Sequence, residues 1–230
     1  MTGAQAWAPA LATCGLLAWR LLQSARAHAA QRRTALDECV PLFGEASVRD
    51  GGSDYPVLHG RYRGARFEVQ PLLDHVGFRK MPSLWLLVTL PGDLPVPGRL
   101  DVLLRPQNIE FYADDNGAPH AVGERIDLPA DWPAHHLARL TPGWSPPLAA
   151  LREALDGLLE AAALKQLLVT SRGLRLVVRA GGVRRADYLV LRSLLPEQPR
   201  IPAALLQEAL DAALRVRGVL ASPSPSLRPT

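Results

Sequence analysis

The stretch VLHGRYRGARFEVQPL, residues 57–72, decides the fold. Val57–Tyr62 and Ala65–Leu72 each read as a strand, and Arg63-Gly64 is the two-residue connection of a hairpin. Gly64 supplies the positive φ that so tight a turn needs. Outward from this hairpin, SLWLLVTL at 83–90 is a continuous apolar run bounded by Pro82 and Pro91. That pattern suits a central strand buried on both faces. Leu100–Arg105 and Ile109–Tyr112 read as further strands.

Helical periodicity flanks this block. Residues 23–46 read as a continuing helix, with Leu36, Val40 and Phe43 on one side and Gly44 as its stop. Arg49 to Asp54 (RDGGSD) is a turn cluster. A second helix starts near Ser145, which is placed to cap it, with Pro146 and Pro147 in its first turn. Leu148, Leu151, Leu155 and Leu158 share its apolar face, and Arg152, Asp156 and Glu160 its polar face. Three short strands follow at Gln166–Thr170, Leu174–Ala180 and Tyr188–Ser193. The last helix begins at Pro202, buries Leu206, Leu210, Ala213 and Leu214, and is expected to end at Gly218.

The order helix, hairpin, strand thus occurs twice. Arg63 to Val69 (RGARFEV) and Arg172 to Val178 (RGLRLVV) share the string R-G-x-R-Φ-x-V. Its physical content is a hairpin glycine followed by a strand with an exposed arginine and inward apolar residues. The expected fold class is α+β, an antiparallel sheet with helices packed on one face and an internally duplicated helix-plus-hairpin unit, preceded by an N-terminal membrane helix. The expected organisation is an anchor and basic juxtamembrane segment over 1–33, one domain over 34–220 and a disordered tail over 221–230. The halves would be 34–112 and 146–218, joined by a Pro-rich crossover at 113–145.

The N-terminal segment AQAWAPALATCGLLAWRLL, residues 4–22, carries one full charge, Arg20. As a helix it spans about 28 Å, close to the thickness of a bilayer's hydrocarbon core. Trp7 and Trp19 stand near its ends, and Arg26, Arg32 and Arg33 follow it with no basic residue before it. The positive-inside rule then places the remainder of the chain in the cytoplasm. Three other readings stand beside this one. Ala27-His28-Ala29 fits a signal cleavage site, although the positive n-region is missing. The acid-free first 36 residues fit an organelle transit peptide. A helix buried in a soluble domain is the third.

Composition narrows the function classes. At 230 residues and 48% apolar, the chain can build a core and is not a disordered chain. Two cysteines exclude a disulfide scaffold and a four-cysteine zinc site. The net charge is only +4, and all but two of the 26 basic residues are arginines, the lysines being Lys80 and Lys165. Charge this balanced argues against nucleic acid as a partner.

Chemistry finds few footholds. The crossover gathers Asp114, Asp115, His120, Asp131, His135 and His136, and imidazole with carboxylate is a fair transition-metal donor set. The metal candidates are His120, Asp131, His135 and His136, but their spacing fits no metal motif. There is no G-x-S-x-G elbow and no phosphate loop. Cys39 sits beside Asp37 and Glu38, which hold a thiol protonated. Arg79 and Lys80, leading into the Trp85 strand, are candidates for meeting anionic headgroups or a partner's acids.

Three strings carry a family likeness: RKMPSLWL at 79–86, LLRP at 103–106 and KQLLVTSRGLRLVVRAGGVRRADYLVLR at 165–192. In these the chain resembles uncharacterised bacterial conserved-hypothetical proteins with one N-terminal membrane helix before an α+β domain. The resemblance implies membrane anchoring and brings no functional residues with it.

The sequence therefore leads to a membrane-anchored cytoplasmic interaction or assembly module without catalytic residues or cofactor. Its expected partners are the membrane, through the N-terminal helix, and another protein. The alternatives are a small-molecule or lipid-binding domain with the crossover as lid, and a metal-dependent hydrolase using the 113–147 loop.

Overall fold

The computed structural model describes residues 4–50, 55–74, 83–106, 123–182 and 200–222. Helix α1 (Ala4–Arg33) leads into strands β1 (Gly44–Asp50), β2 (Pro56–Tyr62), β3 (Ala65–Asp74), β4 (Ser83–Pro91) and β5 (Leu100–Leu104). Strands β6 (Glu124–Ile126) and β7 (His136–Leu140), helices α2 (Leu148–Ala154) and α3 (Asp156–Glu160), strands β8 (Leu164–Thr170) and β9 (Gly173–Gly182) and helix α4 (Ala203–Ala221) follow. All nine strands join one sheet in the order β1-β2-β3-β4-β9-β8-β5-β7-β6. Every pairing is antiparallel. The fold is α+β in this sense: one large antiparallel sheet with a few helices.

The 57–72 stretch forms the hairpin its pattern demands. Tyr62 pairs with Ala65 across the turn. Arg63 (φ 47°) and Gly64 (φ 80°) both take positive φ, as a two-residue hairpin turn of matching twist requires. Arg63 bears that conformation without glycine's freedom. Its guanidinium is 3.1 Å from Asp211 and lies 5.2 Å from the centre of the Tyr62 ring.

β4 lies between β3 and β9 and is buried on both faces. Leu84, Leu86, Val88 and Leu90 enter the main core with α2, α3 and α4, while Trp85 and Leu87 form a second cluster with Val177 on the opposite face. Helix α4 contributes Leu206, Leu210, Ala213 and Val216 to the main core. Arg215 Nε donates to the carbonyl of Ala154 at 2.9 Å, satisfying a carbonyl in the last turn of α2.

Several expectations are corrected. The helix over 23–46 stops at Arg33, and turns and a 3₁₀ segment at Val40–Leu42 replace its end. Leu36 and Phe43 are nonetheless buried. Gly44 opens β1 instead of ending a helix. Every residue of β1 is exposed, so it carries no alternation for a sequence to reveal. Ser145 caps nothing, since Pro147 occupies the N-cap position of α2. The helix expected there breaks at Leu155 (φ −105°, ψ 3°) into α2 and α3. Helix α4 runs through Gly218 to Ala221. The strands expected at Ile109–Tyr112 and Tyr188–Ser193 lie outside the described residues, as does the tail from 223 onward.

Residues 4–22 are helical, as part of a 30-residue helix. No helix among the described residues is long and apolar enough to cross a membrane. Gln5, Pro9, Thr13 and Arg20 dilute the run. Three of its large apolar side chains face solvent. Leu16, Trp19 and Leu22 are 57%, 52% and 58% exposed.

Both copies of the repeated string tip a hairpin, but one residue out of step. Arg63-Gly64 is itself the first turn, whereas Ser171-Arg172 makes the second and Gly173 already pairs with Thr170. Phe67, Val69, Leu176 and Val178 all enter the main core. Arg66 and Arg175 point to the other face.

Candidate functional site

The face of the sheet away from the helices carries a row with one residue from each strand. Successive partners are Ser47, His59, Glu68, Thr89, Arg175, Leu168, Asp101, Arg139 and Arg125. Cross-strand neighbours sit about 5 Å apart, so this row is a continuous polar band broken only by Leu168. Towards β5 it is tied down. Asp101 accepts from Arg99 at 3.1 Å and from Gln166 Nε2 at 2.7 Å.

Towards β1 to β4 the band opens into two shallow clefts that meet at Pro91. The larger, about 340 Å³, is lined by Glu45, Ser47, Arg49, His59, Arg61, Arg66 and Glu68 among others. The smaller, about 180 Å³, is lined by Thr89, Leu168, Thr170, Arg172 and Arg175. Five arginines thus face two glutamates. Arg61 takes Glu45 at 3.3 Å, and Glu68 leans on His59 at 3.8 Å. The side chains of Arg49, Arg66, Arg172 and Arg175 make no hydrogen bond or ion pair among the described residues. Arg61 and Arg66 are directly opposed on neighbouring strands, a like-charge pairing that opposes sheet formation. Nothing in the spacing of these arginines along the chain marks them as neighbours. Only strand register brings them together.

The residues singled out from the sequence are placed differently. His136 opens β7, with Nδ1 2.8 Å from the Pro133 carbonyl and Nε2 3.3 Å from the Leu128 amide. Both ring nitrogens hold the loop in shape, Nδ1 as donor and Nε2 as acceptor. His135 is exposed, and its carbonyl accepts from the Arg105 amide at 2.7 Å. The Asp131 carboxylate is 3.4 Å from Arg152. Among the described residues no group of three or more His, Cys, Asp or Glu stands ready for a metal. Asp131, His135 and His136 are thus not gathered into one. His120, Arg79 and Lys80 lie outside the described residues. The described part of the crossover is built into the body: β6 and β7 extend the sheet, and Leu128 and Trp132 are buried in or against the main core.

Lys165 is a buried charge that no motif in the sequence marks. It is the extra residue of a β-bulge between Leu164 and Gln166 and is 1% exposed. Its Nζ donates to the Arg105 carbonyl at 2.6 Å. Arg105 in turn donates to the carbonyls of Ala162 at 3.0 Å and Leu164 at 2.5 Å. The pair joins strand ends through main-chain carbonyls.

Cys39 is buried, and its thiol donates to the Ile201 carbonyl at 3.4 Å. Burial first, and the neighbouring Glu38 second, push its pKa up to about 12, the reverse of an activated nucleophile. Tyr62 donates to Asp211 at 2.9 Å, and its pKa is raised by burial and then by that carboxylate.

In comparison with known proteins, no family model, curated protein or solved structure matches the chain. The conserved-hypothetical group suggested by the three strings therefore finds no support beyond those strings.

Proposed function

We propose that the protein is a non-catalytic interaction module tethered to a membrane by helix α1, with its sheet domain on the cytoplasmic side. One observation carries this reading: Leu16, Trp19 and Leu22 are each more than half exposed on a 30-residue helix. In water that surface is a standing cost of roughly 25 cal/mol per Å², which lipid removes. A helix too polar to cross on its own can still rest at the bilayer surface, with leucine and tryptophan among the acyl chains and arginine at the headgroups. Arg20 and Arg26 are exposed beside the apolar residues, and anionic lipids concentrate on the cytoplasmic leaflet.

The test is membrane fractionation of the full chain beside a Leu16→Ser, Trp19→Ser, Leu22→Ser variant. The native chain is expected in the membrane pellet, with alkaline wash releasing a surface helix. The variant, altered only at exposed positions, is expected in the supernatant. A native chain found wholly in the soluble fraction ends this reading.

A further inference from the structure

We infer that the arginine end of the sheet face away from the helices is a docking surface for the phosphate headgroups of an anionic lipid leaflet. This rests on the proposed tether and names the second surface that would touch the same membrane.

Four guanidinium groups, those of Arg49, Arg66, Arg172 and Arg175, converge on two clefts meeting at Pro91 without a carboxylate of their own. Several arginines elsewhere are paired. Arg63 meets Asp211, Arg99 meets Asp101, Arg152 meets Asp156 and Arg215 meets Glu208. Arg66 is directly opposed by Arg61, and of the two only Arg61 has a glutamate, Glu45 at 3.3 Å, so Arg66 stands as an uncompensated charge. A surface that keeps such a cost is suited to an anion supplied from outside.

The kind of anion follows from side-chain type and shape. Arginine forms bidentate contacts with phosphate, and no lysine lines either cleft. Both clefts are shallow and lie side by side on a broad sheet, so they fit a laminar array of phosphates better than one small ligand. Single-stranded nucleic acid would also present phosphates, but its binding surfaces offer exposed aromatic rings for base stacking. Among the described residues this face has one Trp, Phe or Tyr, Trp85, and it is buried.

The test uses the full chain and two vesicle preparations, phosphatidylcholine alone and phosphatidylcholine with phosphatidylserine in equal parts. The variant is Arg49→Gln, Arg66→Gln, Arg172→Gln, Arg175→Gln, checked for an unchanged circular dichroism spectrum and melting temperature. The native chain is expected to bind the mixed vesicles more tightly than the neutral ones, and high salt to erase the difference. Each arginine at an anionic surface is worth about fivefold, so the variant should lose at least about tenfold of that gain. Its binding to neutral vesicles should not change. Should the variant keep the whole gain, or the native chain show none, the docking surface is wrong. An oligonucleotide that outcompetes the mixed vesicles for the native chain, but not for the variant, would also overturn the lipid assignment. Failure of the native chain to bind neutral vesicles speaks only against the tether, since the gain from phosphatidylserine is read separately.

Discussion

The Lys165 ammonium donates to the carbonyl of Arg105, and the Arg105 guanidinium donates back to the carbonyl of Leu164, the residue before Lys165. Two cations thus hold each other's strands through main-chain oxygens. The bulge turns Lys165 inward, where it is almost wholly buried. Replacing it with Met keeps most of its volume but strands the Arg105 carbonyl. The expected cost is about 2–4 kcal/mol, the loss of a charge-assisted bond plus an unsatisfied buried oxygen. Urea unfolding of Lys165→Met against the native chain measures it. A change under about 0.5 kcal/mol would show that the clasp contributes nothing.

The fold was legible wherever burial imposes a period. Val57–Leu72 and Ser83–Leu90 announce β2, β3 and β4 because their core faces are fixed by packing. β1 stayed hidden because none of its residues is buried. β7 was lost among the prolines of its loop, though Ala138 and Leu140 are core residues. The break at Leu155 was illegible because Leu151, Leu155 and Leu158 are all buried, as in an unbroken helix. The arginine clefts could not be read at all. Arg49, Arg66 and Arg175 become neighbours through pairings across β1, β2, β3, β4 and β9, and no local spacing encodes those registers.

Gly60 and Gly64 are required for different reasons, which substitution can separate. A Cβ on Gly60 would come within 2.7 Å of Phe43 Cβ, whereas one on Gly64 would meet nothing within 4 Å. Gly64 instead needs its φ of 80°. Gly60→Ala is expected to cost about 1–3 kcal/mol through overpacking against the core. Gly64→Asn should cost less than Gly64→Ala, since Asn tolerates the left-handed region. Asn at 60 should be no better than Ala. Thermal unfolding of the four variants checks the pattern, and a Gly60→Ala protein as stable as the native chain contradicts it.

Tyr62 and Asp211 fasten the first hairpin to α4. The hydroxyl donates to the carboxylate at 2.9 Å, and Arg63 meets the same oxygen at 3.1 Å. Tyr62→Phe removes one donor but leaves Asp211 its arginine. The expected loss is about 1 kcal/mol. Asp211→Ala leaves Arg63 without its carboxylate and the Tyr62 hydroxyl without its acceptor, so it should cost more than Tyr62→Phe. Chemical denaturation in a double-mutant cycle reads the coupling, and strict additivity would show that the two side chains act independently.

Cys39 and Cys14 should differ sharply in reactivity, because Cys39 is buried and Cys14 exposed. In native protein at neutral pH, a thiol reagent should label Cys14 and spare Cys39 until the chain unfolds. The pH dependence has a definite sign. The ordinary thiol value is 9.0 and the folded value about 12, so the folded state keeps a proton that the unfolded state releases. The resulting stabilisation is fully present below pH 9 and is lost as pH rises towards 12, with a slope of up to about 1.4 kcal/mol per pH unit. Cys39→Ala removes this one titration and leaves the others in place. The stability difference between native chain and variant should therefore hold constant from pH 6 to about pH 8 and shift against the native chain above pH 9. A difference that stays flat through pH 11 would mean that the thiol ionises as readily inside the fold as outside it.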